Sequence, residues 1–176
     1  VVVIIKDGEV LLSKGYGYAD VAKQIPVDAE STLFRPGSVT KLFTWTAVMQ
    51  LAEQGKIDLT ADINTYLTDF KIPVTGSRPI TMLDLMSHTA GFGETGAGDA
   101  TYNAAELTSL SAYLTRYMPA LVYPPGQIPA YSNYGATLAG HIVEQVSGEP
   151  YDQYIEEHIL KPLGMTHSSM RQPLPA

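Results

Sequence analysis

The chain has 176 residues, 45% of them apolar, and a net charge of −7. That length suits one domain with a sizeable core, and the acidic balance, with no basic stripe to neutralise phosphates, excludes a nucleic-acid surface. No apolar run approaches the ~20 residues of a membrane span, and the lack of cysteine excludes disulfides, thiolate chemistry and cysteine-ligated zinc.

Val1 opens directly into "VVVIIKDG", without an initiator Met or a charged n-region, which reads as an excised piece or a processed product. Val1–Ile5 and Val10–Ser13 flank Asp7-Gly8, two residues that tolerate positive φ, so the pattern predicts a hairpin. A third strand is predicted through Gly15–Ala19 and a short extended piece at Thr32–Arg35. From Ser38 the pattern turns helical, with helices predicted near 39–54, 81–87, 103–118, 134–147 and 151–160. Thr81 with Asp84, and Asn103 with Glu106, resemble capping boxes. Gly- and Pro-rich loops fall at 72–79, 91–100 and 119–130. The fold class is α+β, with a sheet portion at 1–37, a mainly helical portion at 38–160 and a connecting segment at 161–176. Three antiparallel strands and no closing strand predict an open sheet edge, through which self-association is expected.

In "PGSVTKLFTW" the Pro36-Gly37 turn makes Ser38 the expected N-cap of the first helix, and Gly55 its stop. Lys41 then lies in the first turn, where the positive helix end disfavours an ammonium by a few tenths to ~1 kcal/mol. Eleven serines and seven lysines give a Ser-x-x-Lys pair by chance roughly 0.4 times in such a chain, so the spacing needs corroboration.

Gly91-Phe92-Gly93-Glu94-Thr95-Gly96 matches G-x-G-x-x-G, but it follows a short helix and runs into more loop, which disqualifies it as a dinucleotide fingerprint. The histidines His88, His141, His158 and His167 show no metal-ligand spacing, so no metal and no cofactor are expected. His88 reads as a hydrogen-bonding residue at a helix end rather than a catalytic base, because no G-x-S-x-G elbow accompanies it. The other three take the ordinary core or surface reading.

The second informative stretch is Tyr131-Ser132-Asn133, where Asn133 is the expected N-cap of the helix over 134–147. Both stretches place polar groups at the start of an apolar helix, and such ends can line a cleft with backbone N–H groups. A serine hydroxyl needs a neighbouring base to become a nucleophile. Ser38 and Lys41, three apart on one helical face, can meet, and the positive helix end favours the neutral amine that such a base requires. A phenol such as Tyr131 can relay protons to a leaving group, and an amide such as Asn133 can hold a carbonyl.

Ser38-Val39-Thr40-Lys41 with Tyr131-Ser132-Asn133 resembles the serine β-lactamase and penicillin-binding-protein superfamily, in its branch of class C β-lactamases, D-alanyl-D-alanine carboxypeptidases and family VIII esterases. "GYGYAD", "FRPGSVTK", "LAEQGKIDLTADI", "LMSHTAGF", "YSNYGATLAG" and "KPLGMTHS" extend the resemblance through nearly the whole chain in family order. It implies a β-lactamase/transpeptidase-like fold and a serine hydrolase acting through an acyl-enzyme, with Ser38 the nucleophile, Lys41 its base, Tyr131 the proton shuttle and Asn133 a substrate-binding amide. The Ser38 backbone N–H would be one of two oxyanion donors. The implied substrate is a β-lactam, a D-Ala peptide or an ester, and the implied location is periplasmic or extracellular. The family's third motif, Lys-Thr-Gly or His-x-Gly, does not occur in these 176 residues, and neither do the strands that carry it. The resemblance therefore implies an enzyme in the full-length protein, with this chain alone expected to be essentially inactive. A non-catalytic penicillin- or peptide-binding relative is the alternative.

Overall fold

Asp7 and Gly8 adopt φ of 53° and 83°, the left-handed pair that matches the right-handed twist of a two-residue hairpin. They join β1 (Val2–Lys6) to β2 (Glu9–Lys14), as the sequence predicts. The antiparallel register pairs Val2 with Lys14 and Lys6 with Glu9, and it shifts between Ile4 and Ile5, opposite Leu12 and Val10. The structure, a computed structural model, describes residues 1–73, 78–94, 96, 98 and 100–174. Parts of the predicted loops 72–79 and 91–100, and the end of the predicted 161–176 segment, lie outside the described residues.

The chain divides into two compact units, Val1–Ser38 and Val39–Ala176. In the first, the single three-stranded sheet expected from the sequence is replaced by two separate two-stranded ones. β3 (Tyr18–Asp20) pairs with β4 (Ile25–Pro26), which the sequence reading missed. Gly15 allows the break: a Cβ there would lie 2.1 Å from the Val27 carbonyl oxygen. The extended piece predicted at Thr32–Arg35 is not a strand. Asp28 organises the turn before it, its Oδ1 accepting hydrogen bonds from Ser31 Oγ and from the Glu30 and Ser31 N–H groups.

The second unit is helical. Its helices are α1 (Lys41–Glu53), α2 (Met82–Met86), α3 (Leu110–Arg116), α4 (Asn133–Ser147) and α5 (Tyr151–Ile155), the last running into a π-helical stretch over Glu156–Leu160. α4 is the hub and packs against α1, α2, α3 and α5. Its Leu138, Ala139, Ile142 and Val143 are fully buried with Ala47, Val48 and Leu51 of α1 and Met82 and Leu85 of α2. Each buried aliphatic of this size contributes ~1.5–3 kcal/mol relative to exposure, so α4 fixes the frame of the unit. Gly140 lets α5 approach, since a Cβ there would sit 3.2 Å from the Tyr151 ring.

The helix expected over 103–118 is broken. Asn103 caps only a turn of 3₁₀ helix, Ala104–Glu106, by accepting from the Ala105 N–H. The Glu106 side chain accepts from Asn103 Nδ2 instead of completing a capping box. Leu107 is extended, and Ser109 starts α3 afresh by accepting from the Ala112 N–H. The Thr81/Asp84 capping box on α2 forms with both reciprocal bonds.

His141 of α4 is buried between two carboxylates. Its Nδ1 lies 3.0 Å from Glu144 Oε2 and its Nε2 3.1 Å from Asp69 Oδ2, while the Phe70 ring stacks on it at 5.8 Å. Glu144 Oε1 also accepts the Tyr151 N–H, and Ser111 donates to Asp69, so the cluster joins α3, α4 and α5 to the 60s segment. Both ring nitrogens face acceptors, which only the imidazolium satisfies. Burial alone would lower the His141 pKa, but the Glu144 and Asp69 hydrogen bonds and charges raise it. A raised folded-state value stabilises the fold fully below the ordinary value of about 6.5, and that contribution is lost as pH rises through the folded value. Thermal melts should therefore fall in midpoint from mildly acid to alkaline pH, and more steeply than those of His141→Gln. Parallel pH dependence in the two proteins would contradict a charged His141.

Candidate active site

α1 begins one residue after a turn of 3₁₀ helix, Gly37–Thr40, that carries Ser38. The capping role expected of Ser38 is not observed: the N-cap residue is Thr40, and it makes no side-chain cap bond. Gly37, at φ 58°, starts the tighter turn and moves the helix start two residues along the chain. Lys41 is thus the first residue of α1, inside the positive helix end as predicted. Ser38 is the last residue of the first compact unit.

α4 starts in a comparable way. Ser132, not Asn133, is its N-cap: the buried Ser132 Oγ accepts the Gly135 N–H at 2.9 Å, and Gly148 closes the helix at φ 77°. Asn133 is therefore the first helical residue and projects its amide from the helix end.

Three of the four residues singled out in the sequence come together here. Lys41 Nζ donates to Asn133 Oδ1 at 2.7 Å and lies 4.7 Å from the centre of the Tyr131 ring. The first residues of two long helices are thus hydrogen-bonded to each other, ninety-two positions apart in sequence. Two positive helix ends and an ammonium converge on this spot of an acidic chain, so it suits a carbonyl oxygen or an oxyanion. Lys41 and Asn133 are half-buried, while Tyr131 is 45% exposed and so reachable by a ligand.

The sequence placed His88 at a helix end, and it does follow the α2 C-cap, Ser87, but its partner is distant. His88 Nδ1 accepts the Ser132 N–H at 3.2 Å, and its carbonyl accepts the Ala130 N–H at 2.7 Å. Its ring sits 4.4 Å from that of Tyr131 and meets Trp45 of α1 edge-on at 6.3 Å. Burial, and then the charge of Lys41, hold the His88 pKa below its ordinary value.

The segment after His88 zips onto the loop before α4. Thr89 O accepts the Gly126 N–H, Gly91 O accepts the Val122 N–H, and the Gly93 N–H donates to Ala120 O. Gly91 has φ 87°, and a Cβ there would lie 2.0 Å from the Tyr123 carbonyl oxygen, so only glycine fits. This packing accounts for the first glycine of the G-x-G-x-x-G match, whose Thr95 lies outside the described residues. Beneath the turn, the buried Asp84 carboxylate accepts both Arg78 Nη groups at 2.8 Å, the Thr81 N–H and hydroxyl, and the Thr89 hydroxyl. Burial would raise the Asp84 pKa, yet Arg78 and Thr81 outweigh it and hold the carboxyl below its ordinary value. Among the described residues no group of three or more His, Cys, Asp or Glu could hold a metal ion, and no helix is long and apolar enough to cross a membrane.

The chain is similar in sequence and fold to known proteins. The sequence pattern of the family described as Beta-lactamase matches residues 1–176. Protein flp of Staphylococcus aureus (strain N315) is 34% identical over 177 residues, covering 97% of this chain and 34% of the relative. The chain thus spans about a third of that relative's length. The octameric penicillin-binding protein homologue from Pyrococcus abyssi superposes with a TM-score of 0.78 at 31% identity, over 93% of this chain and 38% of that one. EstCE1, a hydrolase with promiscuous acyltransferase activity, gives a TM-score of 0.74 at 30% identity, over 89% of this chain and 44% of that one. The α+β architecture is therefore that of the β-lactamase/transpeptidase fold, and the chain belongs to the Beta-lactamase family.

Proposed function

We propose that the full-length protein is a serine hydrolase that forms an acyl-enzyme on Ser38 with an amide, lactam or ester substrate. The observation that carries this reading is the 2.7 Å bond between Lys41 Nζ and Asn133 Oδ1, with the Tyr131 ring alongside. Ser38 Oγ attacks the substrate carbonyl carbon, with Lys41 acting as the base that takes its proton. The tetrahedral oxyanion collapses, the bond to the leaving group breaks, and Tyr131 relays the proton to the departing nitrogen or oxygen. Water then attacks the acyl-enzyme by the reverse proton route and releases the acid. With its Oδ1 committed to Lys41, Asn133 offers its Nδ2 hydrogens to a substrate carbonyl. The Ser38 N–H is one oxyanion donor, and the other belongs to the family's third motif, so the activity proposed is that of the full-length protein.

"YSN" at Tyr131–Asn133, where class C lactamases typically carry "YAN", leans the substrate towards peptides and esters, and the acyl-transfer chemistry of EstCE1 is in keeping with that. Self-association belongs to the same proposal: Val3, Ile5, Val10 and Leu11 of the β1–β2 hairpin are each more than half exposed, and the Pyrococcus abyssi homologue is octameric.

A p-nitrophenyl ester, a chromogenic cephalosporin and a D-Ala-D-Ala peptide offered to the full-length protein test the reading. A burst of about one equivalent of p-nitrophenol per protein, followed by turnover, is the expected result. Saturable binding of penicillin with no covalent adduct and no turnover would favour the non-catalytic binding relative instead.

A further inference from the structure

We propose that His88 is a positioning residue, which clamps the backbone on both sides of Tyr131 and so fixes the phenol beside Lys41 and the start of α4. The inference rests on the reading of Tyr131 as the proton shuttle, but its geometry stands independently.

A backbone at φ 57° turns the carbonyl and the imidazole of one residue towards the same stretch of chain. The carbonyl takes the Ala130 N–H and Nδ1 takes the Ser132 N–H, so the two amides flanking Tyr131 are both held by His88. The residue between them, Tyr131, packs its ring against the imidazole at 4.4 Å, the two planes tilted by 35°. Trp45 of α1 also meets the imidazole edge-on, at 6.3 Å. Ser132 is also the cap of α4, so the same hydrogen bond sets where Asn133 emerges. Phenol, amide and lysine are thereby referred to one residue outside both sequence motifs.

The acceptor role dictates the protonation state. Nδ1 can accept the Ser132 N–H only when the ring proton is on Nε2 and the imidazole is neutral. Protonation turns Nδ1 into a donor facing a donor and adds a cation next to Lys41. The titratable groups facing the ring are Lys41 from α1 and Tyr131 from the clamped segment, and burial together with Lys41 opposes that protonation. The clamp should therefore persist to mildly acid pH and open below it, displacing Tyr131 and the α4 cap together.

Two measurements test this. Long-range ¹H–¹⁵N correlation spectra of the protein should show His88 neutral with its proton on Nε2, and the Ser132 amide shift should follow the titration of His88 below pH about 6.5. An ordinary mixture of tautomers, or a Ser132 amide indifferent to that titration, would overturn the clamp whether or not the protein is an enzyme. In the full-length protein, His88→Asn keeps the left-handed preference and an acceptor oxygen at the Nδ1 position, whereas His88→Phe keeps a ring without the acceptor. At pH about 8, Asn should retain the acylation rate within about tenfold, while Phe should lose about 10²-fold in kcat with little change in KM. The ratio of wild-type to His88→Asn rate should fall as pH drops through the His88 titration, because Asn does not titrate. Equal losses in both variants with a constant ratio would overturn the positioning role. Absence of acyl transfer from the wild type, with the spectroscopic result intact, would refute the proposed function and leave the clamp standing.

Discussion

A Ser38→Ala variant of the full-length protein is expected to lose ester hydrolysis and covalent labelling together. The proposed chemistry has one nucleophile, and the alanine removes the only atom on which the acyl group can be carried. In serine hydrolases whose groups act as a unit, loss of the nucleophile costs as much as loss of the whole constellation, leaving only the ~10³–10⁴-fold over water that binding and oxyanion donors provide. The fold should not change, because the N-cap position of α1 is held by Thr40 rather than Ser38. Wild type and variant should therefore melt alike while the label falls to background. Persistent labelling at wild-type intensity would remove Ser38 from the mechanism.

Lys41→Arg is expected to lose acylation by about 10²–10⁴-fold, the usual contribution of a general base. The substitution separates charge from basicity. Arginine can still donate to Asn133 Oδ1 and lie over the Tyr131 ring, as Lys41 does. A guanidinium cannot give up its proton at any working pH, so it cannot take one from Ser38. Retained stability with lost acylation is thus the signature of proton transfer. A near-normal acylation rate in the arginine variant would mean that Lys41 serves only as a cation that tethers two helix ends.

The parts of the fold that were legible in the sequence are those fixed by chemistry within a few residues. Asp7-Gly8 predicts its hairpin because the turn demands positive φ at both positions, and Gly55 ends its helix for the same conformational reason. Thr81 and Asp84 announce α2 because each satisfies the other's backbone. Local signals fail where two compete. Ser132 and Asn133 are adjacent and equally good caps, and only the packing of α4 decides between them. Asn103 and Ser109 both signal helix starts, and the chain uses both, which splits the helix expected over 103–118.

The site was legible to the same degree. Lys41, Tyr131 and Asn133 could be named because their neighbours in sequence mark helix starts, but their meeting is a long-range contact that no local pattern encodes. His88 shows the limit most plainly. Its place at a helix end could be read, whereas its partner Ser132 lies 44 residues away and depends on the zip between the segments at 88–93 and 120–132. Likewise Glu144, three residues from His141, could be suspected as a partner, while Asp69 could not.

The most direct test of the central claim is the site of the trapped acyl group. Full-length protein quenched during reaction with a penicillin or a fluorophosphonate, digested and mapped by mass spectrometry, should carry a single adduct on the peptide containing Ser38, with fragment ions placing it on that residue. An adduct on a different serine, with Ser38 unmodified, would contradict the account.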